Sequence, residues 1–112
     1  MSSEALLPGK AGFLAAWQRK DTIWLSGQSD ADLSAGETDR GQKHPALARN
    51  KRGDVLLAWT EGMGWNQGGD VAWRIIAASG ASNPQQGRAK GIPAHGSLAA
   101  FARPDGGFVV LY

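Results

Sequence analysis

Hydrophobic positions along the chain fall in short runs separated by turn residues. The runs are Gly12 to Trp17, Thr22 to Leu25, Pro45 to Ala48, Val55 to Trp59, Val71 to Ile76, Ser97 to Ala102 and Phe108 to Tyr112. Between them lie Arg19-Lys20-Asp21, Asn50 to Gly53, Gly62 to Asp70, Ser79 to Gly91 and Arg103 to Gly107. Short runs with regular Gly, Asp, Asn and Pro punctuation predict strands joined by turns, an all-β chain. The Ala-rich pieces around Ala15 and Ala99 have helical propensity but are too short between breakers to nucleate a helix.

The runs repeat. Phe13-Leu14-Ala15-Ala16-Trp17 aligns with Val55-Leu56-Leu57-Ala58-Trp59 and with Phe108-Val109-Val110-Leu111-Tyr112, each ending in an aromatic residue. In the next strand Ile23-Trp24-Leu25 matches Ala72-Trp73-Arg74, and in the strand before, Ala48-Arg49 matches Ala102-Arg103. Trp17 and Trp59 are 42 residues apart, and Trp59 and Tyr112 are 53 apart. A period of this size, built from four short strands, suits the blade of a β-propeller. The strand that ends each aligned run is apolar on both faces. A strand covered on one side alternates polar and apolar residues, whereas one between two layers does not. An ordinary β-sandwich with one thick central strand is the alternative.

The expected architecture is one domain of antiparallel four-stranded blade units, a partial propeller of about two blades. Residues 1–11 are expected as an N-terminal extension, 12–43 as a partial blade, 44–93 as a full blade and 94–112 as a second partial blade. Trp17, Trp24, Trp59 and Trp73 sit at repeat-equivalent positions and are expected to pack between blades. Two blades do not close a ring, and an apolar strand ending at Tyr112 leaves an edge and a face to be covered. Each unburied aromatic side chain forgoes roughly 2 kcal/mol. Completion of the blades in a homo-oligomer is therefore expected.

Composition adds exclusions. With 112 residues the chain is one domain, and with no Cys it has no disulfide, Cys-based zinc site or thiol nucleophile. A net charge of +2 does not call for a nucleic acid partner. No apolar stretch approaches the roughly 20 residues of a membrane-spanning helix. Early Glu4 and Pro8 do not fit a secretory leader, so a cytoplasmic location is expected. The 16 glycines mark turns.

Six residues stand out as ligand-binding positions. The loop Glu61 to Asp70 carries Trp65 and Asn66 among glycines, a flat apolar face beside hydrogen-bonding groups, as a sugar ring requires. The alternative is a hairpin loop whose Trp65 caps its own unit. Glu61 and Asp70 flank this loop. They are either a carboxylate pair able to divide acid and base roles, or solvated hairpin ends with Glu61 paired to an arginine. His44 and His95 precede the first strand of their units, a position that lines a propeller channel; no metal is expected from two histidines without a third ligand. The basic run Arg49 to Arg52 is expected as a solvated turn.

The pattern His44-Pro45-Ala46-Leu47-Ala48-Arg49-Asn50, Gly53-Asp54-Val55-Leu56-Leu57-Ala58-Trp59-Thr60-Glu61-Gly62, Gly64-Trp65, Gly68-Gly69 and Val71-Ala72-Trp73 resembles the C-terminal blades of bacterial sialidase-like (BNR-type) β-propeller proteins. Gly91-Ile92-Pro93 and the stretch Leu98 to Phe108 resemble their closing strands. The likeness spans roughly residues 12 to 112. No Asp box of the form Ser/Thr-x-Asp-x-Gly-x-x-Trp occurs, and no catalytic residue of that family carries over. The expected protein is a non-catalytic, self-associating propeller fragment without cofactors; if it has a ligand, the resemblance and Trp65 point first to a carbohydrate. Two alternatives stand beside it: a glycoside hydrolase whose site forms only in the oligomer, and a purely structural interaction module.

Overall fold

A computed structural model describes residues 4–9, 12–27, 32–36, 41–64, 66–78, 85–94 and 96–112. Among these residues every regular element is a strand. The first four are β1 (Glu4–Gly9), β2 (Gly12–Arg19), β3 (Thr22–Ser26) and β4 (Leu33–Ser34). The next four are β5 (Gln42–Arg49), β6 (Val55–Glu61), β7 (Gly69–Ile76) and β8 (Gln85–Ile92), followed by β9 (Ala99–Ala102) and β10 (Phe108–Leu111). All pairings are antiparallel between sequence neighbours. The result is two four-stranded meanders, β1 to β4 and β5 to β8, and a two-stranded hairpin, β9–β10.

The segment 1–11, expected as an extension, contains β1, which pairs with β2 from Glu4↔Trp17 to Gly9↔Gly12. The first sheet therefore has four strands and begins before Gly12. Pro8 does not prevent this because β1 pairs on one side only, and an edge strand tolerates a missing N–H. At the far end of the second sheet, β8 runs from Gln85 to Ile92, inside the Ser79 to Gly91 stretch read from sequence as lying between strands and one residue beyond it. Gln and Gly have weak strand preference, but register against Trp73, Arg74 and Ile75 of β7 extends the strand. The Gln, Arg and Lys side chains of β8 are those that keep an edge strand from pairing with another chain.

The second sheet is covered on both faces. Leu14 and Ala16 of β2 and Ile23 and Leu25 of β3 pack with Val55, Leu57 and Trp59 of β6 and Ala72 of β7. On the opposite face Met63, Val71 and Ile92 pack with Leu98 and Val110 of the hairpin unit. All seven residues of β6 are buried for this reason. Burying a Val or Leu side chain fully contributes about 1.5–3 kcal/mol, so this central strand is a main source of stability.

Register shows how the units correspond. Ala16 pairs with Leu25 and Trp17 with Trp24, while Ala58 pairs with Trp73 and Trp59 with Ala72. With Trp17 equivalent to Trp59, the partner of Trp73 in the first sheet is Leu25. The sequence match of Trp24 with Trp73 is thus shifted by one residue, which reverses the face. Trp59 lies between the sheets, as expected. Trp17 and Trp24 instead stack on each other at 6.3 Å on the outer face of the first sheet, where the Trp17 indole N–H donates to Ser26 Oγ at 2.8 Å.

The turns also repeat. In β5–β6 the Asn50 N–H donates to Asp54 O and the Gly53 N–H to Asn50 O. In β9–β10 the Arg103 N–H donates to Gly107 O and the Gly106 N–H to Arg103 O. Gly53 and Gly106 take φ values of 88° and 93°, a region that strains any residue with a Cβ.

Candidate functional site

A buried polar cluster sits at the end of β6, where Thr60, Glu61 and the register partner Gln42 are all buried. Glu61 is 1% exposed, and a carboxylate in that position requires partners. Cross-strand alternation places it on the face that also carries Trp59, Ala72, Arg74 and Arg88. Arg88 donates from Nε and Nη2 to Glu61 Oε1 at 3.2 and 3.0 Å, and from Nη2 to Oε2 at 3.3 Å. The Trp59 indole N–H donates to the same Oε1 at 3.3 Å. The arginine side chain itself is 62% exposed, so the pair joins a buried anion to an open cation.

A groove of about 540 Å³ lies in front of this cluster. Gln42, Trp59, Ala72, Arg74, Gln86 and Arg88 line it from the second sheet, with Ala35 and Gly36 on the other side. On the first-sheet side the described lining is the segment just after the two-residue β4. Gln42 fixes that boundary. Its Oε1 accepts from the Ile23 N–H at 2.8 Å and its Nε2 donates to Gly36 O at 3.0 Å. Arg74 donates from Nε to Gln86 Oε1 at 3.2 Å and from Nη1 to Ser34 O at 3.4 Å. On the opposite face of β7, Gly87 lies so close to Trp73 that a Cβ there would meet the indole ring at 2.7 Å.

The six residues singled out from sequence are distributed as follows. Glu61 and Asp70 are register partners across β6–β7, but the Glu61 carboxylate is held by Arg88 and Trp59, so it pairs with an arginine. Asn66 is exposed at φ 55° in a tight turn where Gly64 and Gln67 exchange backbone hydrogen bonds. Trp65 and His95 lie outside the described residues. His44 is half-buried at φ 53°, in the irregularity where the β5–β6 register shifts between Lys43 and Ala46. Among the described residues no three His, Asp or Glu side chains come together as a metal site would require. No helix among them is long and apolar enough to cross a membrane.

The basic run Arg49 to Arg52 is more ordered than a solvated turn needs to be. Asn50 is buried, its Oδ1 accepting from the N–H groups of Arg52 and Asp54. The Ala78 N–H, then the Asn50 amide and Arg52, hold the Asp54 carboxyl below its ordinary pKa.

Sequence reasoning did not single out Arg74, Gln86, Arg88 or Gln42. The signal was present as polar residues recurring at every second position, Gln86-x-Arg88-x-Lys90, opposite Ala72 and Arg74. Comparison with protein-family models, curated proteins and solved structures finds no match.

Proposed function

We propose that this chain is a self-associating β-blade module, in which copies stack head to tail by repeating the contact its own sheets make. The carrying observation is a pair of equivalent positions. Val55 of β6 is 0% exposed beneath the first sheet, whereas its equivalent in β2, Phe13, is 71% exposed. Leu6, on the same outer face as Phe13, is exposed as well. At the other end of the stack Phe101, Val109 and Leu111 are exposed on the outward face of the hairpin.

These two faces are of opposite kind. Within the chain, the forward face of one unit (Leu14 and Ala16, or the face of β6 that carries Leu56) packs on the backward face of the next. The hairpin exposes a forward face, and the first sheet exposes a backward one. A second copy therefore offers the surface that each end is built to meet. Head-to-tail contacts of this sort give rings if the rotation closes and filaments if it does not. The resemblance to propeller blades favours a ring.

Native mass spectrometry tests the proposal. The wild type is expected at a multiple of 11.8 kDa. Phe13→Glu or Leu111→Glu, each at an exposed site, is expected to reduce it to the single chain while leaving the strand spectrum intact. A strictly monomeric wild type overturns it. The ligand side of the proposal is a glycan at the 62–69 loop, supported by the exposed amides of Asn66 and Gln67. Glycan-array binding lost in Trp65→Ala supports it, and binding unchanged in that variant removes it.

A further inference from the structure

We propose that the groove between β7–β8 and the residues after β4 binds a small anionic ligand, whose carboxylate or phosphate is taken by Arg74 and Arg88. This site is separate from the loop that carries Trp65 and from the two stacking faces.

Charge on the groove wall is the first support. The Arg74 guanidinium meets only neutral acceptors, Gln86 Oε1 and Ser34 O, and no carboxylate among the described residues. Arg88 spends Nε and Nη2 on Glu61, and its Nη1 has no protein acceptor among the described residues. Glu61 is buried behind Arg88, and the charged residues among the described lining of the groove are Arg74 and Arg88.

Geometry is the second. Arg74 is in register with Gln86, and Ala72 with Arg88, so the two arginines are diagonal neighbours on one face. That places their Cα atoms about 7–8 Å apart, close enough for two long side chains to hold one oxyanion. Guanidinium–oxyanion bonds are charge-assisted and about twice as strong as neutral ones. The buried carboxylate also fixes the Arg88 fork in advance, which lowers the entropy cost of binding.

Size and lining are the third. A volume of about 540 Å³ lies within the range of small-molecule sites. Trp59 and Ala72 give the floor an apolar patch, and Gln86 adds an amide on the wall. A compact ring bearing one acid group fits this arrangement, with the acid at the arginines and the ring against the floor.

Titration calorimetry at low salt tests the site with glucuronate, glucose 6-phosphate and neutral glucose. Saturable binding is expected for at least one of the two acids, in the millimolar range or tighter, and none for glucose. The comparison of the acids separates carboxylate from phosphate selectivity. Arg74→Gln, which leaves the Glu61–Arg88 pair in place, is expected to weaken binding about tenfold. Arg103→Gln removes the same charge from the distant β9–β10 turn and is expected to bind as wild type. Circular dichroism confirms that both variants are folded. Absence of saturation with both acids, equal binding of glucose, or equal losses in the two variants overturns the proposal.

Discussion

The Asn50 side chain donates from Nδ2 to the backbone carbonyl of Gly106 at 2.9 Å, joining the β5–β6 turn to the equivalent turn of β9–β10. The same nitrogen donates to Asp54 Oδ2 at 3.0 Å. One buried amide thus closes its own turn and ties the hairpin unit to the second sheet. Asn50→Ala removes both bonds and leaves the N–H groups of Arg52 and Asp54 without their acceptor. The expected cost is about 1–3 kcal/mol, read as a lower melting temperature. Amide exchange is expected to accelerate first in β9 and β10, whose turn is joined to the second sheet through Gly106 by Asn50 and Arg52.

Gln42 performs the corresponding role between the first and second sheets. Gln42→Leu keeps the volume but orphans the Ile23 N–H and the Gly36 C=O. A loss of about 2 kcal/mol is expected by denaturant unfolding, without a change in strand content. A neutral result would mean that these groups find other partners.

The Glu61–Arg88 pair predicts an asymmetry between its two halves. Arg88→Ala leaves a buried carboxylate with its arginine gone and is expected to cost about 3 kcal/mol, at the low end for a buried pair because the arginine is open to water. Glu61→Gln keeps an acceptor for the Trp59 indole and is expected to cost less. The double variant is expected to be milder than the sum of the two, because neither removal then strands a charge. Chemical denaturation of the four proteins measures the coupling.

Asp54 sets an acid-side prediction. Its carboxyl is held below the ordinary value by the Ala78 N–H, Asn50 and Arg52. A lowered folded-state pKa means that the folded chain binds its proton less readily than the unfolded chain. The stability it contributes is present above the ordinary Asp pKa of about 3.9 and is lost as pH falls through the lower folded value. Asp54→Asn is therefore expected to flatten the loss of stability below about pH 4 relative to wild type. Unfolding free energy measured from neutral to acidic pH checks the slope.

The strands were legible where side-chain pattern alone decided them. Val55 to Trp59, apolar at every position, required cover on both faces, and the first sheet and the hairpin supply it. β1 was hidden because residues 4–9 form no marked apolar run, and only the pairing with β2 makes them a strand. The facing of Trp24 was hidden because a one-residue register shift leaves composition unchanged. The Glu61 partner was open for a different reason. An arginine was one alternative, but Arg88 is 27 residues away, and only the β6–β7–β8 register brings it near. The groove joins Ala35 and Gly36 to residues of β5, β6, β7 and β8, a tertiary arrangement that no local pattern encodes.

Self-association through opposite ends of the stack is the central claim, and a mixing experiment reaches it most directly. Phe13→Glu spoils the backward face and keeps the forward one; Leu111→Glu does the reverse. Each alone is expected to be monomeric. An equimolar mixture retains one intact pair of faces, Phe13 of one chain against Leu111 of the other. Native mass spectrometry is expected to show a heterodimer of about twice 11.8 kDa, with no larger species. A mixture that stays monomeric, or either variant that assembles by itself as the wild type does, would contradict head-to-tail stacking.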